Sequence, residues 1–386
     1  MTEIKSEAKL TLWEATSIII GHSIGGGIMA TPYLASRNSI GSVLLIIAVA
    51  FLFNILVHFV IAELSYNTGG AQLVKCFETH LYKGKAKKWL TLISFVIYGS
   101  AVVVNISGYI VGSADVLVDW FAWPAWLAQL VFYAFAGSVV FFGLKAVGIS
   151  EKYTIALIFG IISAFVVSTF FAKELNPLPR QGGGVNNLLA LFSMVTFALA
   201  ANQSVVQAVK GLGGNAKKIR TSIVLGIGID AVIVLAVTLC ALLLTPGGEV
   251  TKLAFIGLSR GIGSWAVVVG GLFTLLALVT TFWSSTLNLR DIISEQTGLN
   301  LKLCWLLATL PSLLIGLSGL GDFLSLTRIV SLVAVFSGLL LILAYDKSRK
   351  EAQASPICGR LGTRPFLIII VIVQVLCTVG SVVTVK

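Results

Sequence analysis

Residues 21–32 read Gly21-His22-Ser23-Ile24-Gly25-Gly26-Gly27-Ile28-Met29-Ala30-Thr31-Pro32, inside an otherwise apolar run from 12 to 36. Such a run is long enough to cross a bilayer, which takes roughly 20 apolar residues. Each glycine inside a helix costs about 1 kcal/mol relative to alanine. Close helix packing through small residues is the plain reading of a membrane glycine. Three in succession, soon followed by Pro32, exceed that need and mark an interrupted helix. A second irregular place is Ala200-Ala201-Asn202-Gln203-Ser204, where a lipid-facing helix would carry leucine or isoleucine. Alone, that patch would be read as interhelical hydrogen bonding.

Working outward, the chain divides into eleven apolar runs: 12–36, 41–64, 89–111, 121–143, 153–172, 186–208, 221–244, 262–287, 301–318, 322–345 and 366–384. The two irregular runs are the first and the sixth. A repeat of five spans has an odd count, so its second copy must run inverted, and runs one and six become equivalent positions. Interrupted segments at corresponding positions of two inverted halves point to a secondary transporter's binding site. Unwound backbone offers N–H and C=O groups to a carboxylate and a cation, and is tolerated only where it lines a protein cavity. The expected fold is an all-α polytopic membrane protein of eleven transmembrane helices. It has two inverted five-helix repeats (12–172 and 186–345) and one extra helix (366–384), with helices 1 and 6 unwound at mid-membrane.

Composition agrees. Of 386 residues, 57% are hydrophobic and 11% charged, against about 25% charged in soluble domains. Soluble enzymes and receptors with a large extramembrane module are excluded. The net charge of +11 is no sign of nucleic-acid binding, because the basic residues fall in short loops. Only Arg37, Lys173, Arg180, Lys252, Arg260, Arg328 and Lys386 fall on one side. The other twenty of the 27 Lys and Arg, beginning with Lys5 and Lys9, fall on the opposite side. The positive-inside bias puts the N-terminus in the cytoplasm and the C-terminus outside a cell (inner) membrane. Five scattered cysteines suggest neither a zinc site nor a disulfide framework. Gly211-Leu212-Gly213-Gly214 lacks the Gly-Lys-Ser/Thr of a P-loop. Ser318 ends a run with no facing base, so an intramembrane protease is not indicated.

The quoted stretch resembles the first-span signature of the hydroxy/aromatic amino acid permeases, within the wider amino acid/auxin permeases. Asn105-Ile106-Ser107-Gly108, Glu63 with Gly69-Gly70-Ala71, Thr280-Thr281-Phe282 and Leu287-Asn288-Leu289-Arg290-Asp291 are similar to motifs of their third, second and eighth spans, and occur in register. The resemblance implies the inverted-repeat fold of the sodium-coupled neurotransmitter transporter family. It also implies a sodium site made by the carbonyls of Gly21, Ile24 and Ala277 with the hydroxyls of Thr280 and Thr281. Hard monovalent cations take such oxygens; for the threonines themselves, back-bonding to their own helix is the plain alternative. Departures surround the pocket. His22 stands for the usual Thr, Asp230 sits mid-span where a Pro is expected, and Thr196-Phe197-Ala198-Leu199-Ala200 keeps only the Phe.

The substrate would be held by the backbone N–H groups of Gly25, Gly26 and Gly27 at its carboxylate, next to Ser23, and by unwound carbonyls near Thr196 and Phe197 at its ammonium. Val102, Asn105, Ile106 and Tyr109 on one face of span three, with Phe197, Ala198, Ala201 and Asn202, would line a mostly apolar pocket for a neutral amino acid with a large side chain. Asp230 is either a proton-coupling carboxylate or a structural residue, and His22 and His58 are further proton candidates. The expected function is monomeric, sodium-coupled import of that amino acid, without a cofactor. Proton symport is the alternative, and an amino acid sensor without net transport is the reading from another class.

Overall fold

The computed structural model describes residues 9–172, 174–248, 250, 258, 261–352 and 354–385, without the side chains of 26, 248, 323–325 and 327–335. Lys5, Lys173, Lys252, Arg260 and Lys386, used above for orientation, lie outside the described residues, as does the Arg328 side chain. The regular secondary structure of the described residues is helical, with no strand. In chain order the helices are α1 (Leu12–Ser23), α2 (Gly26–Ala35), α3 (Ile40–Asn67), α4 (Leu73–His80), α5 (Lys87–Phe121), α6 (Ala125–Phe141) and α7 (Leu144–Phe171). There follow α8 (Val185–Ala198), α9 (Asn202–Gly211), α10 (Ala216–Leu244), α11 (Trp265–Thr297), α12 (Leu301–Leu317), α13 (Phe323–Glu351) and α14 (Arg364–Val382).

Among the described residues, seven helical stretches are long and apolar enough to cross a membrane, and α1 with α2, bent by 57°, makes an eighth. Two shorter apolar helices are Ala125–Phe141 and Leu301–Leu317. The distribution of residues is that of a multi-pass membrane protein. Leu45, Leu52, Phe135, Phe142, Phe170 and Val232 are exposed, while Asn54, His58, Glu63, Glu151, Asp230 and Ser284 are buried. Several helices overrun the apolar runs read from sequence. The third extends over Lys87–Phe121, the fifth starts at Leu144 and the eighth continues to Thr297. Hydropathy marks only the apolar part of a helix, so the run that starts at 153 leaves out the polar turn with Glu151 and Lys152.

Local chemistry sets the ends. Thr11 Oγ1 accepts from the Glu14 N–H at 3.2 Å, and the Glu14 carboxylate accepts from the Thr11 N–H at 2.7 Å. This capping box starts α1, and Lys145 of α7 reaches Glu14 at 2.6 Å. Gly69 and Gly70 have φ of 73° and 83°, the left-handed backbone that glycine supplies cheaply, and turn the chain from α3 into α4.

The core gathers around α1, which packs on α7, α9, α10 and α11; α2 packs on α8 and α10, and α3 on α8, α9 and α10. Helix α14 lies along α8: Ser193 Oγ donates to Cys377 O at 2.8 Å. A Cβ on Gly380 would come 2.2 Å from Leu189 O, so the two backbones touch there.

Candidate functional site

The first break is built by redirected hydrogen bonds. In a continuous helix the Gly25 N–H would bond Gly21 O; here it bonds Ser23 O at 2.8 Å, and Ile28 N–H bonds Gly25 O at 3.2 Å, not Ile24 O. Gly25 is extended, φ −133° and ψ −156°. The carbonyls of Gly21 and Ile24 are therefore released from the helix ladder, three residues apart.

Helix α11 meets them. Thr280 Oγ1 lies 2.8 Å from Gly21 O and 2.9 Å from Ala277 O. Thr281 Oγ1 lies 2.8 Å from Ala277 O and 3.5 Å from both Gly21 O and Ile24 O. The structure thus brings Gly21, Ile24, Ala277, Thr280 and Thr281 together. Two hydroxyl protons face three carbonyls, so acceptors outnumber donors in a buried place. Such a cluster can accept a hard cation.

The glycine triplet serves two purposes. A Cβ on Gly27 would sit 2.9 Å from Ala198 Cα and 3.0 Å from Phe197 Cδ1, so Gly27 is the contact between α2 and α8. The close-packing reading holds there. At Gly25 the nearest neighbour of such a Cβ is Thr281 Oγ1 at 3.6 Å, an ordinary contact, and the glycine serves the break instead. Gly26 is the first residue of α2; its surroundings lie outside what is described. Ser23 Oγ donates to Ile19 O at 3.1 Å.

The second break falls at 199–201, between α8 and α9. This corrects the expectation of unwound carbonyls at Thr196 and Phe197, which are helical. Thr196 O is taken by Asn54 Nδ2 at 3.2 Å, and Phe197 O by the Ala200 N–H at 3.1 Å. The reason lies in α3. His58 Nε2 accepts the Ala201 N–H at 2.7 Å, while its Nδ1–H bonds Asn54 O. Asn54 and His58, four residues apart, grip the two sides of the break. His58 thus has both ring nitrogens engaged at the break. Ala198 and Ala201 are buried, and Phe197 and Asn202 exposed.

On α5, Asn105 Nδ2 donates to Tyr109 OH at 2.7 Å. Val102, Ile106 and Tyr109 are buried. Among the described residues no hydrogen bond joins these four side chains to α1, α2, α8 or α9, and α5 packs chiefly on α11, α13 and α12. They form one face, as expected, without being tied to the two breaks.

His22 Nδ1 lies 2.9 Å from Ser284 Oγ, whose own proton goes to Thr280 O at 2.9 Å, so Nδ1 is the donor. Asp230 is fully buried against Ser23, whose hydroxyl faces both it and Ile19 O. Glu63 is satisfied: Tyr345 OH (2.8 Å) and Ser355 Oγ (2.5 Å) donate to Oε1, and the N–H groups of Ile357 (3.0 Å) and Cys358 (2.7 Å) donate to Oε2. The motif residues also meet. Asn288 Nδ2 donates to Gln72 Oε1 at 2.7 Å, and Asp291 takes Arg290 at 2.6 Å and Lys210 at 3.1 Å.

Sequence reading missed Asn54 and Glu151. The signal for Asn54 was its i,i+4 spacing to His58 in an apolar run; Glu151 was placed before span five, beside Lys152.

The model of the tryptophan/tyrosine permease family matches residues 8–381. No curated protein sequence matches. Among solved structures, MhsT in complex with L-phenylalanine is similar at a TM-score of 0.69 and 14% identity, over 98% of this chain and 100% of that one. The nucleobase-cation-symport-1 family transporter MHP1, closed with bromovinylhydantoin bound, gives 0.67 and 11%, over 97% and 94%. The manganese transporter of Eremococcus coleocola, in complex with an aromatic bis-isothiourea substituted compound, gives 0.61 and 16%, over 99% and 89%. At these identities the likeness concerns the fold.

Proposed function

Because the chain belongs to the tryptophan/tyrosine permease family and is a membrane transporter, we propose that it imports a large neutral amino acid, aromatic in the first instance, together with sodium. The observation that carries the ion is the meeting of the released Gly21 and Ile24 carbonyls with Ala277 O and the hydroxyls of Thr280 and Thr281. The family name and the phenylalanine complex of MhsT support the substrate class. In this reading the chain has eleven spans in two inverted repeats, 12–172 and 186–345, with an added last helix and the N-terminus in the cytoplasm. The breaks at 24–25 and 199–201 lie at equivalent places. The start of α2 receives the substrate carboxylate at its N–H groups.

The experiment is uptake of tryptophan, tyrosine and phenylalanine into proteoliposomes under a sodium gradient, against a proton gradient and against choline. Sodium-driven accumulation supports the proposal; equal accumulation with choline at fixed pH refutes the ion. Proton symport is favoured by a separate observation, the fully buried carboxylate of Asp230 against Ser23. It predicts accumulation under the proton gradient alone, abolished in Asp230→Asn. Binding without any accumulation would leave a sensor.

A further inference from the structure

The cluster of five oxygen groups is electrically neutral, yet a carboxylate stands against it. Glu151 lies on α7, about one turn beyond Gly148, and is fully buried. A Cβ built on Gly21 would fall 2.0 Å from Glu151 Oε2 and 3.0 Å from Thr280 Cβ. The carboxylate therefore occupies the volume that any side chain at position 21 would fill, directly against the peptide whose carbonyl receives Thr280. Neither Oε1 nor Oε2 has a hydrogen-bond partner. An ionised carboxylate buried without a partner is strongly disfavoured, and hydrogen-bonded burial is the rule for polar groups. Glu63, equally buried, shows how this fold satisfies a carboxylate that it keeps for structure: four donors converge on it. Nothing comparable is supplied to Glu151.

We propose that Glu151 is the charged ligand of the cation site, and that a monovalent hard cation, sodium, binds between its carboxylate and the oxygens of Gly21, Ile24, Ala277, Thr280 and Thr281. The inference rests on the sodium reading above and adds what that reading lacked, a negative charge. Neutral ligands alone would leave a bare positive charge in the core when sodium binds; with Glu151 the loaded site is neutral. The same arrangement joins three helices, since α7 supplies the charge, α1 the released carbonyls and α11 the hydroxyls. Loading would draw α7 onto the α1 break.

Other charged or titratable groups on the helices packed around α7 have different engagements. Glu14 of α1 is paired with Lys145. His22 of α1 is bonded to Ser284. Asp291 of α11 is held by Arg290 and Lys210. Asp230 of α10 is also buried, but it faces Ser23 and not Gly21. It is the control.

The test is sodium-dependent thermal stabilisation of the purified full chain, titrated with sodium chloride against choline chloride at constant ionic strength and fixed pH, without substrate. In Glu151→Gln the half-saturating sodium concentration should rise at least about 100-fold, the scale of losing a unit charge within contact distance. Melting in choline should be unchanged or raised, because a buried unpaired carboxylate has been removed. Glu151→Asp, which keeps the charge on a shorter stem, should retain a weakened sodium response and serves if Glu151→Gln does not fold. Asp230→Asn should respond as the parent does. A parent that responds to sodium while Glu151→Gln keeps the same half-saturation overturns this inference and leaves the sodium reading standing. A parent indifferent to sodium overturns both.

Discussion

Replacing His58 by phenylalanine isolates what holds the second break open. A planar ring is kept, but the acceptor for the Ala201 N–H, now 2.7 Å from Nε2, is lost. So is the donor to Asn54 O. Ala201 is fully buried, and no other hydrogen bond of its N–H is present. Orphaning a buried donor costs about 1–3 kcal/mol. At 1.36 kcal/mol per factor of ten, that corresponds to roughly 5- to 150-fold easier opening of this amide. The assay is hydrogen exchange by mass spectrometry on peptides covering residues 196–206 of the purified protein. Exchange at Ala201 should accelerate by that factor in His58→Phe, with little change in α10. His58→Gln, whose side-chain oxygen can accept, should recover much of the protection. Substrate affinity should fall in parallel in His58→Phe. An Ala201 amide as protected in His58→Phe as in the parent would show that the histidine does not hold the break, and the argument would fail.

Thr281→Ala removes the hydroxyl that approaches Gly21 O, Ile24 O and Ala277 O; sodium dependence of substrate binding should disappear while folding persists, read by binding assays with sodium and with choline. Gly27→Val places side-chain atoms within 3.0 Å of Ala198 and Phe197, and overpacking of this kind costs about 1–3 kcal/mol; substrate affinity and melting temperature should both drop. Ala198→Phe should exclude the largest substrate first, so that tryptophan uptake falls before that of smaller amino acids in a competition assay. Glu63→Ala leaves the N–H groups of Ile357 and Cys358 without their acceptor; exchange and proteolysis around residues 355–362 should increase at least about fivefold.

Legibility followed composition. The first break was visible because glycine is costly in a helix, and three in a row leave little else to say. The second had no glycine or proline to announce it. Its polar residues, Ala200 to Ser204, marked the region, but which carbonyls are engaged there was set by Asn54 and His58 on another helix. The cation cluster could be matched in spacing, yet only the folded chain shows why its carbonyls are free: Gly25 and Ile28 turn their N–H groups elsewhere. Glu151 was illegible for a different reason. It stands beside Lys152 and Tyr153 in the polar first third of α7, where hydropathy reads solvent, and only the packing of α7 against α1 and its neighbours buries it. Charged residues near the end of a span look the same in sequence whether they face water or a neighbouring helix.

The contact between α8 and α14 bears on how the molecule would feel its surroundings. At Gly380 the backbones touch, and Ser193 pins the pair again at Cys377. Helices joined that closely cannot slide past one another, so any tilt of α8 carries α14 with it. Of α14 only Leu367, Ile370 and Gly380 are buried, and much of its apolar surface is turned outward. The segment ahead of the second break is therefore yoked to a broad paddle facing the lipid. Movement there must sweep acyl chains aside, which makes bilayer viscosity and thickness a mechanical load on the working cycle.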